Sequence, residues 1–197
     1  MPSPNSFGAI SRTSPQFRLA TLADLDAVYA IISEAATWLK SRQISQWDWF
    51  LTDPGKALIR HRIETAETYV VLDPHAKPVA TFTIQWDDEK IWGPRGLDAK
   101  AGYVHGLAIR RHAAGKGLGL KMLEWSSNRI VQNARNLVRL DCMADNQPLC
   151  NYYRRAGFVD AGVYDVIRIG SWERLYVQLF QRSVDPTFID EREKSNG

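Results

Sequence analysis

The sequence predicts an α+β domain built on a mixed sheet, with its elements in the order β-α-α-β-β-β-α-β-α-β-β. Three observations predict it. The 197 residues, 45% hydrophobic and 24% charged, suit one domain with a full core. Segments whose apolar residues recur with a 3.6-residue period stand apart from short runs rich in Val, Ile, Tyr and Phe. Finally, a glycine-rich turn joins a strong β-run directly to a following helical segment.

Phe17–Ala20 reads as a short strand, after which Thr21, with Asp24 three residues on, suits a helix N-cap and an acidic first turn. Leu25, Val28, Tyr29, Ile32, Ala35 and Ala36 then share one helical stripe that continues to about Lys40. The next segment crowds Trp38, Trp47, Trp49 and Phe50 around Gln43, Gln46 and Asp48. A second helix over 54–66 opens on Asp-Pro, with proline at the first helical position. The runs 68–73 and 79–86, divided by Pro74 to Pro78, form a hairpin, and 87–100 is a charged loop containing Gly and Pro. A strand over 102–109 leads through glycines into a helix over 117–134, with Leu120, Leu123, Ile130 and Ala134 on its buried face and Met122 and Trp125 flanking them. A strand at 137–143 and a short helix at 146–156, stopped by Gly157, follow. A second hairpin, 159–167 with 172–180 around Gly170 and Ser171, closes the chain.

The ends are poor in core material. Residues 1–15, rich in proline and serine, and the polar tail 183–197 read as mobile segments around a single domain at 16–182. The formal charge is +3 with no block of like charges, so a nucleic-acid partner is not expected. No window of about 18 apolar residues exists, so neither is a membrane partner. Cys142 and Cys150 lack CxxC spacing and read as free thiols in a reducing cytosol, which makes the expected location cytoplasmic.

The chemistry concentrates in 103–158. Gly115, Gly117 and Gly119 let main-chain N–H groups approach a bound group at the start of a helix, where unpaired donors and the helix dipole favour a pyrophosphate. Lys116 adds a countercharge. Alternate glycines alone are equally consistent with a plain chain reversal. A P-loop is excluded, since no Gly-Lys-Ser or Gly-Lys-Thr follows, and the spacing is not that of a dinucleotide fingerprint. Downstream, Asn146, Tyr153 and the pair Gly157-Phe158 follow the strand 137–143.

With those residues in place, the sequence resembles the GNAT superfamily of N-acetyltransferases over about residues 16–181, most specifically over 103–158. The resemblance implies a GNAT-like, mostly antiparallel twisted sheet flanked by helices, acetyl-CoA as cosubstrate and an amine acceptor, in a monomer or homodimer. It implies that Leu107, Ala108 and Ile109 present backbone to the pantetheine arm and acetyl carbonyl. The turn Ala114-Gly115-Lys116-Gly117-Leu118-Gly119 matches the pyrophosphate loop, Asn146 the contact to the CoA arm, and Tyr153 the general acid. Ala114 departs from the family, which usually carries Arg or Gln there, and Arg110, Arg111 or Lys116 are the nearby cations that could compensate.

A phenol suits protonation of a departing thiolate, and an ammonium acceptor needs a base. His105 is the candidate, because strand alternation would place Tyr103, His105 and Leu107 on one face and because imidazole titrates near neutrality. It also resembles the His-bearing strand of the arylalkylamine acetyltransferases. Asp87, Asp88 and Glu89 are its rivals, Glu173 is a further one, and Asp141 reads as structural. Trp38, Trp47 and Trp86 are the candidate acceptor contacts, pointing to a hydrophobic or aromatic amine, although tryptophans also pack helices onto sheets. No metal enters this reading. A non-catalytic acyl-CoA-binding or sensing domain is the alternative, as is a partner-binding domain that uses the aromatics.

Overall fold

The computed structural model describes residues 14–44, 46–167 and 174–185. Its described strands form one sheet in the order β1-β2-β3-β4-β5-β7-β6: β1 (Gln16–Leu19), β2 (Thr68–Leu72), β3 (Pro78–Gln85), β4 (Ala101–Ile109), β5 (Leu137–Met143), β6 (Val159–Ile167) and β7 (Arg174–Ser183). Every neighbouring pair is antiparallel except β4 with β5. The helices are α1 (Leu25–Ser41), α2 (Asp53–Glu64), a single turn α3 (Glu89–Trp92), α4 (Leu118–Gln132) and α5 (Gln147–Arg155). The expected α+β order therefore holds, with α3 added in the stretch read as a loop. Asp88 caps that turn, its Oδ1 accepting from Ile91 N–H at 3.3 Å.

Two hydrophobic layers cover the sheet. On one face α1 and α2 bring Val28, Ile31, Ile59 and Ile63 against Val70, Leu72 and Ala108. On the other, α4 and α5 bring Met122, Leu123, Ile130 and Cys150 against Phe82, Val104, Leu140 and Phe180. The buried stripe of α4 is Met122, Leu123, Ser126, Ser127 and Ile130. The two serine hydroxyls donate to Met122 and Leu123 carbonyls one turn back, which makes their burial tolerable. Two expectations for this helix are corrected. Leu120 lies two residues outside the stripe and is 49% exposed, and Ala134 stands beyond the helix end at φ +57°.

Two departures from a regular sheet shape the site. The parallel ladder of β4 and β5 pairs only Ala101–Val104 with Leu137–Leu140, after which the strands part. In the same region the register between β3 and β4 slips by one residue between Thr83–His105 and Thr81–Ala108, and Gly106 sits at φ +59°. That is a β-bulge with glycine in the left-handed position. The bulge overturns the expected alternation. His105, opposite Thr83, shares the α1/α2 side with Ala108, whereas Leu107 and Ile109 pack toward α4.

The predicted turn at Gly170 and Ser171, the rival base Glu173, and most of both terminal segments lie outside the described residues. No described helix is long and apolar enough to cross a membrane.

Candidate active site

Where β4 and β5 separate, a cavity of about 1200 Å³ opens through the molecule. One half is lined by 114–115 and 117–119 of the loop and helix start together with Leu107, Ile109, Tyr152 and Tyr153; the other half is lined by His105, Asp88, Asp141 and an aromatic wall.

In the first half, Gly115 and Gly117 have φ near +76° and +77°, with open space where a side chain would stand. Gly117 caps α4, so the first N–H groups of that helix face the same opening without intrahelical partners. This concave set of donors fits a pyrophosphate. Of the expected cations, only Arg111 lines the cavity. Lys116 donates to the His112 carbonyl at 3.0 Å and does not line the cavity, Arg110 pairs with Glu34 at 3.1 Å, and Arg111 stacks on Trp38 at 4.2 Å. Among the described residues this half therefore offers mainly backbone donors, with the Arg111 guanidinium on the cavity wall.

Asn146 is buried and outside the cavity lining. Its side-chain oxygen caps α5 by accepting from Leu149 N–H at 3.3 Å, which fixes the helix that carries Tyr153. Tyr153 is 7% exposed, with ring centroids 5.6 Å from Phe180 and 6.0 Å from Phe158. Burial pushes its phenol well above the ordinary value, so it stays protonated in any working range. Cys142 and Cys150, with no expected partner in sequence, meet beneath it with their sulfurs 3.6 Å apart, and both are free and buried. Burial also raises the Cys142 thiol, which makes it a poor nucleophile.

At the junction of the two halves His105 stands between two carboxylates. Its Nε2 is 3.5 Å from Asp88 Oδ2 and its Nδ1 is 3.5 Å from Asp141 Oδ1. The three side chains are 13%, 8% and 19% exposed, respectively. Asp141 arrives because Tyr103 pairs with Arg139 in the parallel ladder, which puts the residues two further on beside each other across the gap. Asp88 arrives on the 87–98 loop, which buried Arg139 ties to the sheet. Arg139 donates to the Arg95 carbonyl at 2.6 Å, to the Tyr103 hydroxyl at 3.0 Å and to Asp98 at 3.1 Å. Burial raises the Asp88 carboxyl above its ordinary range; the neighbouring Asp141 adds to this, and His105 and Arg62 oppose it.

The aromatic wall is Trp38, Trp47, Trp49 and Phe50, with Phe50 meeting Trp49 at 5.6 Å and Trp47 at 6.0 Å, edge to face. Trp86 does not belong to it. Strand alternation turns Gln85 into the cleft and Trp86 onto the α4 side, under the Arg135 guanidinium at 5.1 Å. Trp92 is core, buried against Tyr103 at 5.9 Å. Gln85 brings two residues that sequence patterns did not single out. It accepts from Arg62 at 3.1 Å and donates to Glu67 at 2.9 Å, and all three line the cleft.

A sequence profile described as the acetyltransferase (GNAT) family matches residues 25–158. The uncharacterized N-acetyltransferase YesJ of Bacillus subtilis (strain 168) is 29% identical over 143 residues, 71% of this chain and 78% of that protein. Among solved structures, a GNAT-family acetyltransferase from Listeria monocytogenes superposes with a TM-score of 0.69 at 24% identity, over 86% of this chain and 95% of its own. The yncA protein of Salmonella typhimurium, solved with its cofactor acetyl-CoA, superposes with a TM-score of 0.62 at 16% identity, over 87% and 95%.

Proposed function

Because the chain belongs to the GNAT family of acetyltransferases, we propose that it transfers the acetyl group of acetyl-CoA to a primary amine by direct attack in a ternary complex. The observation that supports this reading is the single cavity running from the N-terminus of α4 to the imidazole of His105. The unit that does this is the domain at 16–182.

The donors at 115–119 hold the pyrophosphate, and the gap between β4 and β5 admits the pantetheine arm beside Leu107, Ala108 and Ile109. There a main-chain N–H steadies the charge that develops on the thioester oxygen. Asp88 and Asp141 attract the acceptor as a cation, and His105 takes the proton that the ammonium must lose before its nitrogen can attack. The two carboxylates then stabilise the imidazolium. Tyr153, still protonated, gives its hydroxyl proton to the departing thiolate. Trp38, Trp47 and Trp49 cover the body of the acceptor, which favours a hydrophobic or aromatic amine.

Release of free thiol from acetyl-CoA, followed across a panel of arylalkylamines, diamines and peptides, tests the proposal. The expected result is turnover with arylalkylamines and intersecting double-reciprocal lines. Parallel lines overturn direct transfer, and a preference for small polyamines overturns the aromatic acceptor. Acetyl-CoA binding with no thiol released by any amine favours a non-catalytic sensing domain.

A further inference from the structure

We propose that Asp88, His105 and Asp141 form a binding site for a divalent transition-metal ion of the zinc type. Three features support it, and none depends on whether His105 is the catalytic base.

The first is distance. A zinc-type ion bound at about 2.1 Å by two ligands in tetrahedral array holds those ligands about 3.4 Å apart. Asp88 Oδ2 and His105 Nε2 are 3.5 Å apart. That is longer than an ordinary N–H···O bond and close to the edge of such a tetrahedron. One ligand atom from each of the three residues lies within 4.8 Å of the others.

The second is the state of the atoms. The Asp88 side chain is more than nine-tenths buried, and both its Oδ2 and His105 Nε2 have no hydrogen-bond partner among the described residues. Buried polar atoms are rarely left so, since each costs about 1–3 kcal/mol. Oδ1 of the same carboxylate is satisfied by the Ile91 N–H, so one oxygen is spent on holding the residue and the other is directed at the imidazole.

The third is rigidity and charge. The ligands come from three separately anchored elements: a loop bound to Arg139, the bulged strand β4, and β5 locked between β4 and β7. Two carboxylates confront one imidazole, with Arg62 the neighbouring cation whose charge both carboxylates feel. Two carboxylates and a neutral imidazole are an ordinary donor set for zinc, and the cavity leaves room for water or an acceptor group as a further ligand. An ion seated here takes the Nε2 lone pair and Asp88 Oδ2, with Asp141 approaching from the Nδ1 side of the ring, so it competes with the ammonium of an acceptor.

Isothermal titration calorimetry of the full chain with zinc chloride, without acetyl-CoA or amine, tests the site. The expected result is one ion per chain, bound about tenfold or more weakly in each of Asp88→Asn, His105→Gln and Asp141→Asn. Thermal melts of the variants confirm that each is folded. Crystals soaked in zinc chloride should give one anomalous peak between Asp88 and His105. No binding by the wild type, or binding that survives any of the three substitutions unchanged, overturns the proposal.

Discussion

Asp24 and Asp88 are both nearly buried carboxylates, yet their surroundings shift them in opposite directions. Arg18 grips Asp24 through two bonds of 2.7 and 2.8 Å, and Thr21 donates to it from backbone and hydroxyl, so its carboxyl lies well below the usual range. A depressed value stabilises the fold above the unfolded pKa of about 3.9 and is lost as acid protonates the group. Asp24→Asn should therefore cost about 1–2 kcal/mol at neutral pH, with the difference shrinking below pH 4 in denaturant melts. Asp88 is raised by burial, so its charged form penalises the fold once pH passes the elevated value. Asp88→Asn, which keeps an oxygen for the Ile91 cap, should raise the melting midpoint at pH 8, give no gain at about pH 4, and lower kcat at both. A lower midpoint at pH 8 contradicts the reading that burial of the charged Asp88 carboxylate penalises the fold. At the same scale, Tyr153→Phe removes a proton donor from a residue already packed by three aromatic rings. It should leave the melting midpoint within about 1 kcal/mol of wild type and lower kcat. Unchanged turnover across pH contradicts its role as the acid.

Among the elements, the turn that carries the aromatic wall depends on a close approach. A Cβ at Gly55 would stand 2.3 Å from the Trp49 carbonyl oxygen and 2.6 Å from Phe50 Cα, both backbone atoms, so the first turn of α2 must lack a side chain there. Gly55→Ala should separate the turn from α2, weaken acceptor binding as a rise in the amine KM, and leave the KM for acetyl-CoA unchanged; an equal rise in both contradicts the division of the cavity into two halves. The elements themselves were largely legible. Helical period and caps placed α1, α2, α4 and α5, because burying one stripe of a helix writes a period into the sequence. The bulge at Gly106 was not legible. A lone glycine in a strand permits one without requiring it, and the resulting flip put His105 and Leu107 on opposite faces. The same limit hid α3, whose single turn is too short to carry a period and is held by the Asp88 cap and the bond from Asp88 N–H to the Gly96 carbonyl.

At the scale of the whole molecule, the site is a product of topology. Tyr153 and the glycine loop were legible as candidates through the family resemblance, and His105 through its residue type on the strand. The flanking carboxylates were named only separately, Asp88 as a rival base and Asp141 as structural, and their meeting at His105 was not legible. Asp88, His105 and Asp141 are distant in sequence and meet only because β4 and β5 pair in parallel and then part, with Arg139 holding the loop between β3 and β4 in place. Removing that tie with Arg139→Met should lower kcat through a displaced Asp88, and it leaves the Tyr103 hydroxyl and Asp98 without their guanidinium partner. The most direct measurement of the central claim is thiol release from acetyl-CoA with an arylalkylamine by the wild type and by His105→Gln. Amine-dependent release by the wild type, with the variant losing about 100-fold or more in kcat at an unchanged KM for acetyl-CoA, is the predicted result. Equal turnover by both proteins, or none by the wild type with any amine, contradicts it.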